Sequence, residues 1–387
     1  MERLGCQDQK AVIQMSDYLE GGRLPEFSLW EKIRDRRVPL DFELDLTARC
    51  NNNCRHCYIN LPANHRQAKA QELSLDEIAH IADQAIELGT MWVLITGGEP
   101  LLRHDFAEVY LMLKRKGLLV SVFTNATLIN QEHIALFKKY PPRDVEVTIY
   151  GASQRVYERV SRVPGSYQAF RQGLQDLFDA GIRVRLKAMA LRSNLEEIEA
   201  IAAFGRDFTR DYYRFDPLLH LRFDGDEQRN EEIRSERLLP DEIVALEQSD
   251  RARFESLEKN HEKFYIEGFK NRQEDRLFLC GAGNMSFSVG YEGTFRLCSS
   301  LWAPGTTVNL RQVSLRQAWE EHVPAVRNLR TQNTAYQQEC GRCPIANLCL
   351  NCPAHAHLEL GRMDAVPPYF CQVAHARSEV LQKKLNP

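Results

Sequence analysis

The sequence contains no long apolar run. No segment approaches the ~18 consecutive apolar residues of a membrane-spanning helix. Residues 1–10 are polar with no apolar h-region behind them, so no signal peptide is expected. Neither sign of charge dominates: 50 Lys and Arg stand against 53 Asp and Glu, a net charge of −3. That balance argues against nucleic-acid binding driven by phosphate contacts. The basic residues are scattered, as at Arg34, Arg36 and Arg37 or Lys138 and Lys139, in the manner of solvated faces. Repeats and low-complexity tracts are also missing. The expectation is a cytoplasmic chain with no membrane and no nucleic-acid partner. At 387 residues and 43% hydrophobic content it should form two or three domains with a buried core.

Cysteine is plentiful. A cytoplasmic chain keeps its thiols reduced, so the 11 cysteines point to metal rather than disulfides. Cys50-x3-Cys54-x2-Cys57 directly follows the strand-like run Asp41–Thr47. Three thiolates on one short loop can hold three corners of a cubane iron–sulfur cluster. Such clusters normally take four Cys ligands, so a triplet leaves one iron open to chelate a small molecule. Zinc is the competing ligand set. Farther on, an apolar strand ends in Gly97-Gly98-Glu99-Pro100. Glycines allow close backbone approach to a ligand, and Glu99 can accept from an ammonium group; a plain strand-to-helix turn is the bland alternative. A second group of cysteines lies near the C-terminus. Cys280 is followed by Gly293 and Cys298, then by Cys340-x2-Cys343-x5-Cys349-x2-Cys352, then by Cys371. Only Cys6 is left over, an unpaired thiol without assigned function.

The first triplet with its follower Tyr58, together with the Gly-Gly-Glu-Pro turn, resembles the signature of the radical SAM superfamily. The C-terminal seven resemble that superfamily's SPASM extension, with one departure: the spacing before Cys352 is x2 where the pattern has x3. The run from Asn309 to Trp319 is similar to SPASM proteins as well. The resemblance implies S-adenosylmethionine chelated by the open iron at Cys50, Cys54 and Cys57, with Gly97–Pro100 at its methionyl amine. It also implies two auxiliary [4Fe–4S] clusters. Cys340, Cys343, Cys349 and Cys371 would hold the outer one, and Cys280, Cys298 and Cys352 the inner one. Thr124, Asn125 and Thr148 fall at strand ends where relatives bind the cofactor. An Arg should meet the methionyl carboxylate, and Arg159 and Arg162 both lie near the expected offset. His56 would pack beside the adenine, while His355 and His357 read as core or solvent-facing residues.

Strand-like runs at Asp41–Thr47, 91–96, 118–124, 144–150, 182–191 and 212–219 alternate with helix-like segments, the pattern of βα units around a parallel sheet. One helix opens at Ser74 with a Ser-x-x-Glu capping box and stops at Gly89. The fold class expected is α/β, a partial (β/α)6 barrel of the radical SAM type followed by a small Cys-rich α+β SPASM domain. Residues 1–40 form an N-terminal extension, 41–223 the partial barrel, 224–279 a charged helical connector and 280–387 the SPASM domain. Chemistry should sit at the C-terminal ends of the strands, as in closed βα barrels. The function implied is an oxidoreductase that generates a 5′-deoxyadenosyl radical and abstracts hydrogen from a ribosomally made peptide or protein. The outcome would be a dehydrogenation, cross-link or thioether. An electron donor such as flavodoxin or ferredoxin is implied, and a separate leader-binding protein is allowed, because the 40 or so residues before the first strand are too few for a leader-binding domain. Two alternatives stand beside it: the same machinery oxidising a small molecule (an alcohol, sugar or tetrapyrrole side chain), and a non-enzymatic zinc-binding interaction protein.

Overall fold

The computed structural model describes residues 35–209, 213–259, 274–349 and 352–385. Cys6 and position 212 of the sixth expected strand lie outside them. Six strands form the parallel part of one sheet: β1 Asp41–Thr47, β2 Trp92–Gly97, β3 Leu119–Thr124, β4 Asp144–Ile149, β5 Val184–Met189 and β6 Arg214–Asp216. They pair in chain order, β1 with β2 and so on to β6. All six expected strands are present, most trimmed at their ends, and the sixth shortened to three residues.

The crossovers are helical: α1 Leu75–Glu87, α2 Phe106–Arg115, α3 Gln131–Lys139, α4 Gln154–Ser161, α5 Ser166–Asp179 and α6 Ile198–Phe208. Local signals account for their starts. Ser74 Oγ accepts from Glu77 N and the Glu77 carboxylate accepts from Ser74 N, closing the capping box of α1. Asn130 and Ser153 cap α3 and α4 in the same manner through their side-chain oxygens. Each helix turns an apolar face to the sheet; Ile78, Ile81, Ala82 and Ala85 of α1 are buried against β1 and β2 residues such as Phe42 and Val93.

The connector continues with α7 Glu227–Glu236, α8 Pro240–Ser249, which begins on a proline at its first helical position, and α9 Arg251–Lys259. The C-terminal part supplies β7 Ser286–Val289, β8 Thr294–Arg296 and β9 Val308–Asn309, then α10 Pro353–Leu360 and α11 Pro368–Leu385. Its strands do not form a separate sheet. β7 lies parallel to β1, Asp41 opposite Ser286 through Leu44 opposite Val289, and β8 and β9 follow antiparallel. One nine-stranded sheet therefore runs β9-β8-β7-β1-β2-β3-β4-β5-β6 across both expected domains. The join is packed as well as hydrogen-bonded. Phe42 stacks on Phe287 at 5.2 Å, and the fully buried Arg296 donates to Asp45 at 2.5 Å while lying over Trp302.

Candidate active site

The C-terminal ends of β1–β5 open onto a chamber of about 470 Å³. Cys50, Cys54 and Cys57 all line it, and so do Tyr58, Gly97, Gly98, Thr124, Asn125 and Thr148. These residues are far apart in sequence, and the parallel strand order alone brings them together.

The cysteine loop is held from several sides. Arg49, just ahead of it, forms a buried ion pair with Glu72 at 2.7 Å and donates to Ala63 O. Its residues Arg49–Cys50 pair with Leu61–Pro62 in a two-residue parallel bridge. From the chain beyond β6, Arg222 donates to Cys57 O, and Arg229 of α7 donates to Cys54 O at 2.9 Å and to Asn53 and Asn60. Sequence reading missed these two arginines. Arg222 falls at the end of the expected barrel and Arg229 in the expected charged connector, and no local spacing links either to a loop more than 160 residues away. Asn125 Nδ2 reaches Asn51 Oδ1 at 3.0 Å and lies 3.8 Å from Cys50 Sγ.

The Gly-Gly turn works against protein backbone. A Cβ on Gly97 would lie 2.3 Å from Thr47 O, and one on Gly98 would lie 2.2 Å from Arg49 O. Gly97 also has φ +116°, open to glycine alone among ordinary residues. Gly98 N donates to Thr47 O and Glu99 N to Arg49 O, so the turn is zipped onto the strand that launches the cysteine loop. Glu99 lies behind the chamber wall, fully buried. Its carboxylate accepts from Thr124 Oγ1 at 2.8 Å, Leu101 N at 3.1 Å and Asn125 N at 2.8 Å. Burial pushes it up to about 7, against the pull of those three bonds. Pro100 is buried at the head of a short 3-10 turn and is not part of the lining.

Of the remaining expected residues, His56 also lines the chamber, whereas the two candidate arginines do not. Arg159 pairs with Glu196 at 2.6 Å and Arg162 with Glu232 at 2.8 Å; neither lines the chamber, because acidic partners on neighbouring segments draw both outward. His56 tilts against Tyr150 at 5.4 Å. Tyr58 packs on His220 at 4.3 Å, His220 stacks on His355 at 5.7 Å, and His355 on Phe370 at 4.4 Å. Burial lowers His220 to about 4 and His355 to about 3, so both rings are neutral near pH 7. His357 is half-buried.

None of the ten described cysteines is in a disulfide. Burial, with Cys57 adjacent, pushes Cys54 up to about 12. Cys298 is pushed up to about 12 by burial, with Cys352 and Cys280 adding to the rise. Cys340 is likewise raised to about 12 by burial, with Cys349, Cys371, Cys343 and Glu339 adding to the rise. These four cysteines line a second cavity of about 380 Å³ together with Cys352 and His355. Burial pushes the Cys352 thiol up, and the His355 and Ala354 backbone N–H groups at the start of α10 pull against that rise.

A polynuclear cluster fits the triplet. All three sulfurs face one cavity, the Asn52 backbone N–H points at Cys50 Sγ at 3.4 Å, and the buried Asn52 side chain finds no protein partner. The chamber also has the volume of a small-molecule site. It extends past the triplet to Ser299, the neighbour of Cys298. No helix among the described residues is long and apolar enough to cross a membrane.

Residues 44–205 match the family model of the Radical SAM superfamily. An AdoMet-dependent heme synthase of Methanosarcina barkeri is 24% identical over 345 residues, covering 84% of this chain and 94% of that protein. The subtilosin biosynthesis protein AlbA of Bacillus subtilis is 23% identical over 334 residues, 81% of this chain and 67% of its own length. In fold, the chain is similar to SuiB of Streptococcus suis bound to S-adenosylmethionine: TM-score 0.63, 16% identity, 88% of this chain and 80% of SuiB.

Proposed function

Because residues 44–205 carry a radical SAM domain and place this chain among the radical SAM enzymes, we propose that it oxidises a side chain of a peptide or protein in the chamber between its two cysteine groups. The observation that carries this is continuity: one cavity runs from Cys50, Cys54 and Cys57 to Ser299 beside Cys298. Held by Cys50, Cys54 and Cys57, an iron–sulfur cluster would supply the one electron needed for reductive cleavage of S-adenosylmethionine and so the oxidising power to take hydrogen from the substrate.

The residues around it bind, orient and shield. Cys50, Cys54 and Cys57 are the cluster ligands, and Arg222 and Arg229 fix the loop carbonyls so that the three sulfurs keep their aim. Gly97 and Gly98 present an unobstructed wall on which the cofactor's methionyl end can lie. Thr124, Asn125 and Thr148 offer polar groups along its length, while Tyr58 and Tyr150 keep water from the reacting carbon. In this reading residues 280–387 hold two further clusters, Cys280, Cys298 and Cys352 in the inner one and Cys340, Cys343, Cys349 and Cys371 in the outer. The inner set is the electron sink next to the substrate. A chamber of this volume takes about one drug-sized ligand. With the cofactor in place it admits an arm of a larger molecule, which favours a peptide side chain. A second reading, oxidation of an acid-bearing arm of a tetrapyrrole, is favoured by the near full-length match to the heme synthase.

Anaerobic reconstitution tests the reading. The protein should hold close to twelve irons if all three clusters are cubanes, and dithionite with S-adenosylmethionine should yield 5′-deoxyadenosine. Replacing Cys50, Cys54 and Cys57 with Ala should remove roughly a third of the iron and all of the cleavage. Stoichiometric zinc with little iron would sink the proposal. Incubation with peptide and with tetrapyrrole candidates in parallel, read by mass spectrometry, then decides between peptide and small molecule.

A further inference from the structure

One wall of the chamber carries a charge imbalance. Arg253 of α9 and Arg377 of α11 both line the chamber, and both reach Glu247 of α8. Arg377 donates to Glu247 through Nε at 2.9 Å and Nη2 at 2.7 Å, and Arg253 through Nη2 at 2.8 Å. The Glu247 side chain is 2% exposed, against 24% for Arg253 and 12% for Arg377. Two guanidinium groups thus share one sequestered carboxylate, and a positive charge is left over on the chamber side. Each has one further anchor on a carbonyl, Arg253 on Phe215 O and Arg377 on Leu348 O, which holds the pair in place without neutralising it. The other charged groups of the lining are matched or distant. Lys187 pairs with Glu146 at 2.7 Å, Asp216 lies 3.7 Å from Arg214, and Glu43 belongs to β1, at the other end of the parallel set.

An unmatched guanidinium beside a partly dry cavity attracts an anion strongly, and its planar fork suits a carboxylate in two-point contact. We propose that Arg253 and Arg377 form a carboxylate-binding wall, so that the substrate arm entering the chamber carries an acid group or lies directly beside one. This rests on the radical SAM reading above for what happens in the chamber, but it concerns recognition and not the radical step. The same chemistry is offered by an acidic residue of a peptide and by a propionate arm of a small ring compound. It is not offered by an alcohol, a sugar or a basic peptide segment.

The test uses the reconstituted, cofactor-loaded enzyme and two probes of equal size, succinate and succinamide. Ligand-observed NMR should find succinate bound roughly ten- to a hundred-fold more tightly, the scale of a charge-assisted hydrogen bond. The double variant R253Q/R377Q should erase that preference, R253K/R377K should keep most of it, and E247Q should enlarge it. Equal binding of the two probes overturns the proposal, as does a preference that survives the Gln pair or is lost equally in the Lys pair. In a second arm, deuterated probes are turned over with dithionite and the mass of 5′-deoxyadenosine is read. Label from succinate and not from succinamide supports the wall. Succinate preference with no 5′-deoxyadenosine at all would overturn the radical reading and leave the wall standing, whereas 5′-deoxyadenosine labelled equally by both probes would overturn the wall alone. Replacing succinate by the tripeptide Gly-Glu-Gly or by a tetrapyrrole with propionate arms then identifies the source, the tighter ligand marking it.

Discussion

Glu99 reads in sequence as a ligand for an ammonium group, and in the structure its carboxylate already accepts three bonds, one from Leu101 N of its own turn and two from Thr124 and Asn125 at the end of β3. Glu99→Ala would orphan those buried donors at about 1–3 kcal/mol each. The expected outcome is a lower thermal midpoint of the apoprotein together with weaker S-adenosylmethionine binding, while Glu99→Gln, which keeps one acceptor, recovers most of the stability. An Ala variant with an unchanged midpoint would show that water replaces the carboxylate. His220 gives a pH signature. Burial depresses its folded value to about 4 from the ordinary 6.5, so between those limits the unfolded chain binds the extra proton. Its contribution is complete above pH 6.5 and is lost as pH falls through about 4. Relative to His220→Phe, the wild type should therefore lose stability on acidification across that window, by at most about 3 kcal/mol. Parallel pH–stability curves for the two proteins would contradict this.

Among the elements, the turn after β2 shows both what sequence reveals and what it hides. The Gly-Gly-Glu-Pro run is visible at once and its strand was placed within a residue, because a short apolar run and a glycine stop are local signals. What the glycines touch is not local. They lie against Thr47 and Arg49 backbone, and only the β1–β2 register reveals that. Gly98→Ala has nowhere to put its methyl, since its nearest neighbours are backbone atoms that cannot swing aside. The triplet loop should shift, so iron at that site and cofactor affinity should both drop; full retention of the charge-transfer absorbance would mean the loop tolerates the displacement. The cysteines were legible for a similar reason, since spacing within a loop is a local property. Arg159 and Arg162 were placed by offset alone, and the acidic side chains that hold them, Glu196 and Glu232, come from segments no offset could foresee.

For the molecule as a whole, the alternation of strands and helices made the parallel sheet legible, but its continuation into the C-terminal part was not. β7 is four residues long and carries no mark of which edge it will join. The Asp45–Arg296 pair fastens that join in the interior. Asp45→Asn leaves a buried guanidinium unmatched, a loss on the order of 3–5 kcal/mol. Calorimetry should then record one cooperative transition at a lower temperature, because sheet and pair couple the two parts; two well-separated transitions would show them to be independent. The β1–β7 pairing also sets an order of events in time. Glu43 and Ser288, bonded across it, are 245 residues apart in sequence, and contacts of that separation close late because loop entropy must be met first. On the ribosome, β1 emerges early and waits with one edge bare until most of the chain has been made. During that interval the cysteine loop that β1 launches stands in a half-built sheet, open to whatever delivers iron and sulfide. The last strands to arrive close its neighbourhood.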